Sequence, residues 1–221
     1  MAPRPLRLIY CHGGNRAAAS VARECGWDVG SRSDKVIYDE ARPLALLDIH
    51  WTRYDWRSHL AVASAEHPWM AAVPDLESHA HLRQCMEQAE DLAPHCTRLM
   101  LIPKAYDAID LIPEVVGGTS VVLGYSVPTT YGGTSVPLWE FGQRPVHLLG
   151  GSPRAQKAVA RYLNVVSLDG NMAWKIASRF TRSYAADGSH GGQDGQSIES
   201  GAPMEALRKS LMNLREFWAT P

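Results

Sequence analysis

The sequence predicts an α/β protein: a compact (β/α)8, TIM-like barrel in a single domain, residues 1–221. Three observations carry this. Short continuous apolar runs look like parallel strands buried on both faces, helical runs alternate with them, and eight such strands can be counted. An open doubly wound sheet is the alternative arrangement of the same units.

Arg7 to His12 reads as the first strand, closed by Gly13-Gly14-Asn15. Arg16 to Cys25 is rich in alanine and arginine and reads as a helix stopped at Gly26. The glycine pair reads as a tight turn, because it lacks the Gly-x-Gly-x-x-Gly spacing of a phosphate loop. Lys35 to Tyr38 is a weak second strand. Leu44 to Leu47 is the third; it meets Asp48 and His50, with a helix from Tyr54 to Ala65 behind it. Trp69 to Val73 repeats the design, meets Asp75 and leads into a helix from Ser78 to Leu92. Thr97 to Pro103 ends in Lys104. An apolar segment, Ala105 to Val116, is followed by the strand Ser120 to Val127 and the polar, Gly-rich loop Pro128 to Ser135. Val146 to Leu149 passes through Gly150-Gly151 into a helix from Arg154 to Leu163, with Pro153 near its first turn. The last strand, Val165 to Leu168, ends in Asp169-Gly170-Asn171, and a helix from Met172 to Phe180 follows. Residues 185–200 read as a mobile Gly-rich loop, and residues 202–218 as a terminal amphipathic helix on the outside.

With 22 Lys+Arg against 23 Asp+Glu the net charge is -1, so a polyanion partner needs a local basic patch rather than the whole surface. Six basic residues between Gly151 and Tyr184 (Arg154, Lys157, Arg161, Lys175, Arg179, Arg182) face only Asp169, a local charge of +5. Lys175, Arg179 and Arg182 fall at helical spacings and share one face, where a phosphate backbone can be held; a solvated helix face is the bland alternative. The four cysteines (Cys11, Cys25, Cys85, Cys96) form no CxxC pair and read as reduced, mostly buried thiols. No apolar run approaches a membrane span, the first residues lack the core of a signal peptide, and a cytoplasmic location is the expectation.

In parallel α/β folds the chemistry lies at the carboxyl ends of the strands. The polar residues there are His12, Asp48, His50, Asp75, Lys104, Tyr125, Ser126, His147, Ser167 and Asp169. Any one acid can be a helix cap, but three carboxylates in one pocket suit either metal binding or a nucleophile paired with a general acid/base. A metal site from Asp48-x-His50 and His79-x-His81 meets an obstacle, since residues two apart on a helix point about 200° apart. No metal and no cofactor are expected. Trp51, Trp69, Tyr106, Tyr125 and Tyr131 are aromatics placed to stack on a base, although most tryptophans should be core anchors.

The succession Leu-Leu-Asp48, Val-Pro-Asp75, Leu-Gly124-Tyr-Ser-Val, Leu-Leu-Gly150-Gly-Ser-Pro and Ser-Leu-Asp169 resembles the catalytic barrel of tRNA-guanine transglycosylases over about residues 44–180. It looks most like their shortened relatives that insert 7-deazaguanine bases into DNA, found on phages and genomic islands. The resemblance implies Asp169 as the nucleophile that attacks C1′ and Asp48 as the general acid/base. It implies base binding by Asp75, with Lys104, Gly124, Tyr125, Gly150 and Gly151 around it; the charge placement, not the resemblance, makes Arg154, Lys175, Arg179 and Arg182 the candidates for backbone contacts. There are departures. Ile49-His50-Trp51 replaces Ser-Gly-Gly, Lys104 stands where the family often has Gln, Tyr125 replaces a glycine, and the zinc-binding Cys/His segment after the nucleophile strand is missing. The implied activity is exchange of guanine for a preQ0-like 7-deazaguanine in DNA, with tRNA the lesser candidate and partner proteins of a DNA-modification system conceivable. The competing readings are a metal-assisted barrel hydrolase using Asp48, His50, Asp75 and Asp169, and a non-catalytic barrel that binds nucleobases or nucleic acid.

Overall fold

Among the described residues, nine strands follow one another: β1 (Arg7–Cys11), β2 (Asp28–Arg32), β3 (Leu46–Asp48), β4 (Met70–Ala72), β5 (Arg98–Leu101), β6 (Val115–Val116), β7 (Thr119–Ser126), β8 (Pro145–Leu149) and β9 (Asn164–Gly170). They belong to a computed structural model that describes residues 6–37, 43–50, 53–130, 132–190 and 203–220. Eight strands pair in parallel in the order β1-β2-β3-β4-β5-β7-β8-β9, and β9 returns to β1, so the sheet closes into the expected TIM-like barrel. The two-residue β6 is an antiparallel appendage on β7.

Period-two alternation sorts the side chains into two cores. Ile9, Leu46, Met70, Met100 and Val122 point inward and pack with Ala72 and Ile102 inside the ring. Their neighbours Tyr10, Leu47, Ala71, Leu99 and Leu123 point outward, where the helices cover them. The barrel is tight enough to require glycine at two inward positions. A Cβ on Gly30 would sit 2.9 Å from Ile9 and 3.1 Å from both Cys11 and Leu46; one on Gly124 would sit 2.6 Å from Cγ1 of Ile102 and 2.9 Å from Leu149. The bottom of the ring is closed by the Trp69 ring, with the Arg7 and Arg98 guanidinium groups 4.2 and 5.7 Å from its centroid.

Among the described residues, six α-helices surround the ring: α1 (Arg16–Glu24), α2 (Trp56–Glu66), α3 (Leu82–Leu92), α4 (Pro153–Ala160), α5 (Met172–Phe180) and α6 (Pro203–Ala219). Local sequence sets their starts. Oδ1 of Asn15 accepts from Ala18 N at 3.0 Å, Oδ1 of Asp55 from Arg57 N at 3.1 Å, and Oγ of Ser152 from Ala155 N at 3.2 Å, with Pro153 in the first turn of α4. Among the described residues, the crossovers after β2, β5 and β7 contain 3₁₀ turns and no α-helix, with the short β6 in the second of them, which is how a barrel fits into so short a chain. The expected terminal helix is present as α6, whose Leu211 carbonyl accepts from Nε1 of Trp27 at 2.9 Å.

Three expectations need correction. The second strand is Asp28–Arg32, whereas Lys35 closes a 3₁₀ turn and Tyr38 lies outside the described residues. The segment 78–92 begins with a separate 3₁₀ turn, His79–His81, before α3. The helix after Gly151 ends at Ala160 rather than Leu163. Of the loop 185–200, residues 191–200 lie outside the described residues, as do Trp51 and Tyr131. Among the described residues, no helix is long and apolar enough to cross a membrane.

Candidate active site

The carboxyl ends of the strands surround a cleft of about 650 Å3 that is lined by Asp48, Asp75 and Asp169. Strand register explains why these acids meet. Asp169 is level with Ile9, an inward residue, and Asp48 is level with Arg32 at the top of β2, so both carboxylates stand at the barrel mouth.

Asp169 is held from several sides. The Cys11 thiol donates to Oδ2 at 3.1 Å, and the Gly150 amide points at Oδ1 from 3.4 Å. Gly150 and Gly151 both have positive φ, 62° and 76°, and a Cβ on Gly151 would meet Val127 at 2.7 Å, so this turn demands glycine. From the first turns of α4, Nε2 of Gln156 donates to the Asp169 backbone carbonyl at 2.8 Å. Beneath lies His147, fully buried, whose Nδ1 is 2.8 Å from Oγ of Ser167 and whose Nε2 is 3.4 Å from Oδ1 of Asp169. That Nε2 has no hydrogen-bond partner among the described residues, so its 3.4 Å approach to Asp169 is a close contact and not a hydrogen bond.

Burial, and next the negative charge of Asp169, push the Asp48 carboxyl up to about 7; the Ile49 amide, donating to Oδ1 at 2.8 Å, and the Arg32 guanidinium oppose the rise. One member of the pair is therefore able to hold a proton near neutral pH. Burial and the same two carboxylates also raise the Cys11 thiol well above its usual range, which makes it a neutral donor rather than a thiolate. Asp75 is raised by burial, with Lys104 Nζ, 3.5 Å away, acting in the opposite direction.

Asp48, Asp75, Lys104, Gly150, Gly151 and Asp169 thus share one cleft, with Ser126 and Asn171. Tyr125 does not. It alternates with the inward Gly124 and Ser126, points outward and packs edge-on against Phe141 with ring centroids 5.2 Å apart, so its expected base contact is withdrawn. Gly124 lies below the cleft, where its α-carbon makes room for Ile102 and Leu149 rather than for a ligand. Trp69 sits at the opposite end of the barrel. Tyr106 is exposed.

Lys175 and Arg179 are exposed on α5; Arg182 is exposed too but lies beyond the left-handed Thr181 that ends the helix, so the expected single helix face does not include it, and Arg154 is engaged by Asp187 in an ion pair. His12 serves the turn: its Nδ1 accepts from Gly14 N at 2.9 Å, and burial with nearby Arg23 lowers its pKa to about 4. His50 lines a separate depression with Arg53 and Asp55, and His79 reaches the Tyr106 carbonyl at 3.0 Å. No three His, Cys, Asp or Glu side chains among the described residues converge as metal ligands. Sequence reasoning missed Cys11, which carried no signal beyond being a cysteine at a strand end, and Gln156, whose i+3 position beyond Pro153 looked like ordinary helix.

Residues 22–219 match a family described as one of unknown function, DUF6610. The chain belongs to that family. The match takes in Asp48, Asp75 and Asp169, together with Gly150, Gly151 and Gln156. It begins after Cys11, so the thiol lies outside the matched segment. No curated protein matches the chain.

Proposed function

We propose that the protein is a base-exchange transglycosylase that replaces guanine in DNA with a 7-deazaguanine derivative through a covalent Asp169–nucleotide intermediate. The observation that carries this reading is the unequal carboxyl pair at the barrel mouth: Asp169, fixed by the Cys11 thiol and the Gly150 amide, beside Asp48, raised to about 7. A carboxyl group that can hold a proton near neutral pH, beside a second one fixed in place, is what glycosyl transfer with retention needs.

In the first half-reaction an oxygen of Asp169 attacks C1′ and the C1′–N9 bond breaks. The electron pair goes to N9, and the proton on Asp48 goes to the departing base. A glycosyl ester on Asp169 remains. The incoming base then gives its N9 proton to Asp48, N9 attacks C1′, and the C1′–O bond to Asp169 breaks. Two inversions at C1′ retain its configuration. Asp75, steadied by Lys104, faces the same cleft and suits the donor edge of a guanine-like base. The target nucleotide has to leave the stack to reach a recessed carboxylate. Lys175, Arg179 and Arg182 are the exposed cations that suit its flanking phosphates.

The test is to incubate the protein with labelled guanine or 7-cyano-7-deazaguanine and either duplex DNA, single-stranded DNA or tRNA. Label entering DNA supports the proposal; label entering tRNA alone corrects the substrate, and none entering any polymer overturns the reaction.

A further inference from the structure

His147 points into the ring from the middle of β8, between Val146 and Leu148, which face the helices. It is fully buried, as is Ser167, and neither lines the cleft above. A slip of register brings the two together. β8 pairs with β9 through Val146 and Val165, but the next pair is His147 with Ser167, so Val166 is an extra residue on β9. Without that bulge His147 would stand level with Val166 and have an apolar neighbour in place of a hydroxyl.

The two ring nitrogens have different surroundings. Nδ1 is 2.8 Å from Oγ of Ser167, whereas Nε2 has no hydrogen-bond partner among the described residues and stands 3.4 Å from Oδ1 of Asp169. Two neutral tautomers are open to the ring. With the proton on Nδ1, the ring donates to Ser167, turns the bare Nε2 lone pair toward a carboxylate, and takes from the Ser167 hydroxyl the acceptor that Nδ1 offers it. With the proton on Nε2, Ser167 donates to Nδ1 and the N–H faces the carboxylate. The second arrangement gives both buried groups a partner and replaces a repulsion with an attraction. It also serves an oxygen that is otherwise loosely held: Oδ1 has the Gly150 amide at 3.4 Å, whereas Oδ2 has the Cys11 thiol at 3.1 Å. Hydrogen bonds that serve a reaction are often long until the reacting complex forms.

We propose that His147 is a positioning residue for Asp169: Ser167 donates to Nδ1 and fixes the proton on Nε2, and that N–H closes on Oδ1 from beneath to hold the carboxylate aimed into the cleft. That the carboxylate so held is a nucleophile rests on the transglycosylase reading. The direction of the two hydrogen bonds does not.

Nitrogen NMR of the full chain, labelled in histidine, reads the tautomer directly, with His147 assigned by the signal lost in His147→Gln. A protonated Nε2 and a bare Nδ1 at neutral pH are expected; a proton on Nδ1 overturns the proposal. In the exchange assay His147→Leu should lower kcat about tenfold while KM stays within about twofold, as for the loss of one donor to a charged group. Glutamine can place an amide N–H near the position of Nε2, so His147→Gln should recover most of the rate. Melting temperatures of both variants check their folding. Equal losses in the two folded variants, or a loss in KM alone, overturn the positioning role. Ser167→Ala is the smaller perturbation if His147→Leu does not fold. It should admit the tautomer protonated on Nδ1 and lower kcat, and an unchanged tautomer overturns the role given to Ser167. A bare Nδ1 without exchange of any base leaves the hydrogen-bond direction assigned and removes the reaction. Exchange with a proton on Nδ1 does the reverse.

Discussion

The thiol of Cys11 on β1 donates a 3.1 Å hydrogen bond to Oδ2 of Asp169 on β9. The thiol is neutral, because burial and the carboxylates around it oppose its ionisation. It therefore orients the carboxylate without adding a charge. In the exchange assay Cys11→Ala should lower kcat about tenfold while KM stays within about twofold, as expected when a reacting group is less well aimed. Cys11→Ser, which keeps a donor, should recover most of the loss. Equal losses in both variants would assign the thiol to packing alone.

Asp169→Asn keeps the shape of the side chain and one oxygen, for either Cys11 or Gly150 but not both, and removes the nucleophile. Exchange should fall by at least about 10³-fold, and the denaturation-resistant adduct with DNA seen for the wild type should disappear. The variant's melting temperature, measured alongside, should show that it folds, so that the loss is assigned to the missing nucleophile.

Asp48 makes activity and stability depend on pH in the same window. As the proton donor to the leaving base it must be protonated, so kcat should fall as pH rises through about 7. For stability, the folded-state value lies above the ordinary carboxyl value of 3.8, so the native state binds the extra proton between these limits. Stability associated with this group is thus fully present below 3.8 and is lost as pH rises through about 7. Asp48→Asn should remove the alkaline limb of the profile along with most of the activity. It should stabilise the protein by about 2 kcal/mol at pH 8, measured by urea unfolding, and by much less at pH 4.

Inside the ring, Gly124→Ala drives a methyl to 2.6 Å from Ile102 Cγ1 and should cost about 1–3 kcal/mol. Ile102→Ala removes the clashing atom, so the double variant should be less destabilised than the two single losses added together. Additive losses would refute the packing described.

Filter binding of DNA against salt tests the exposed cations. Replacing Lys175 and Arg182 with alanine should weaken binding and lower the slope of log K against log salt by roughly 0.9 per lost phosphate contact in duplex DNA. Arg154→Ala should change the slope less, because Asp187 already holds that side chain.

The ring of eight was legible because seven of the strands are continuous apolar runs. The missed strand, Asp28-Val-Gly-Ser-Arg32, has one apolar side chain. Its inward position is Gly30, left bare because Ile9, Cys11 and Leu46 fill the space, so the packing that makes it a strand is contributed by its neighbours. The three mouth acids were legible from their places at strand ends. The outward turn of Tyr125 follows from its alternation with the inward Gly124 and Ser126, a period-two rule that outweighs the match of its position to a family glycine. The meeting of His147 with Ser167 was not legible. It depends on the slip of register between β8 and β9, which no local pattern announces.

The barrel is shut by β1 against β9, elements from opposite ends of the sequence, with Cys11 and Asp169 separated by 158 positions. Seams of this kind carry high contact order, because a long span of chain must be ordered before the pairing is rewarded. The strands β1 to β5 can pair successively along the chain, yet the thiol finds its carboxylate only when the seam closes. A folding intermediate with an open seam therefore lacks the oriented Asp169, and recovery of that thiol–carboxylate contact on refolding should lag behind the helical signal.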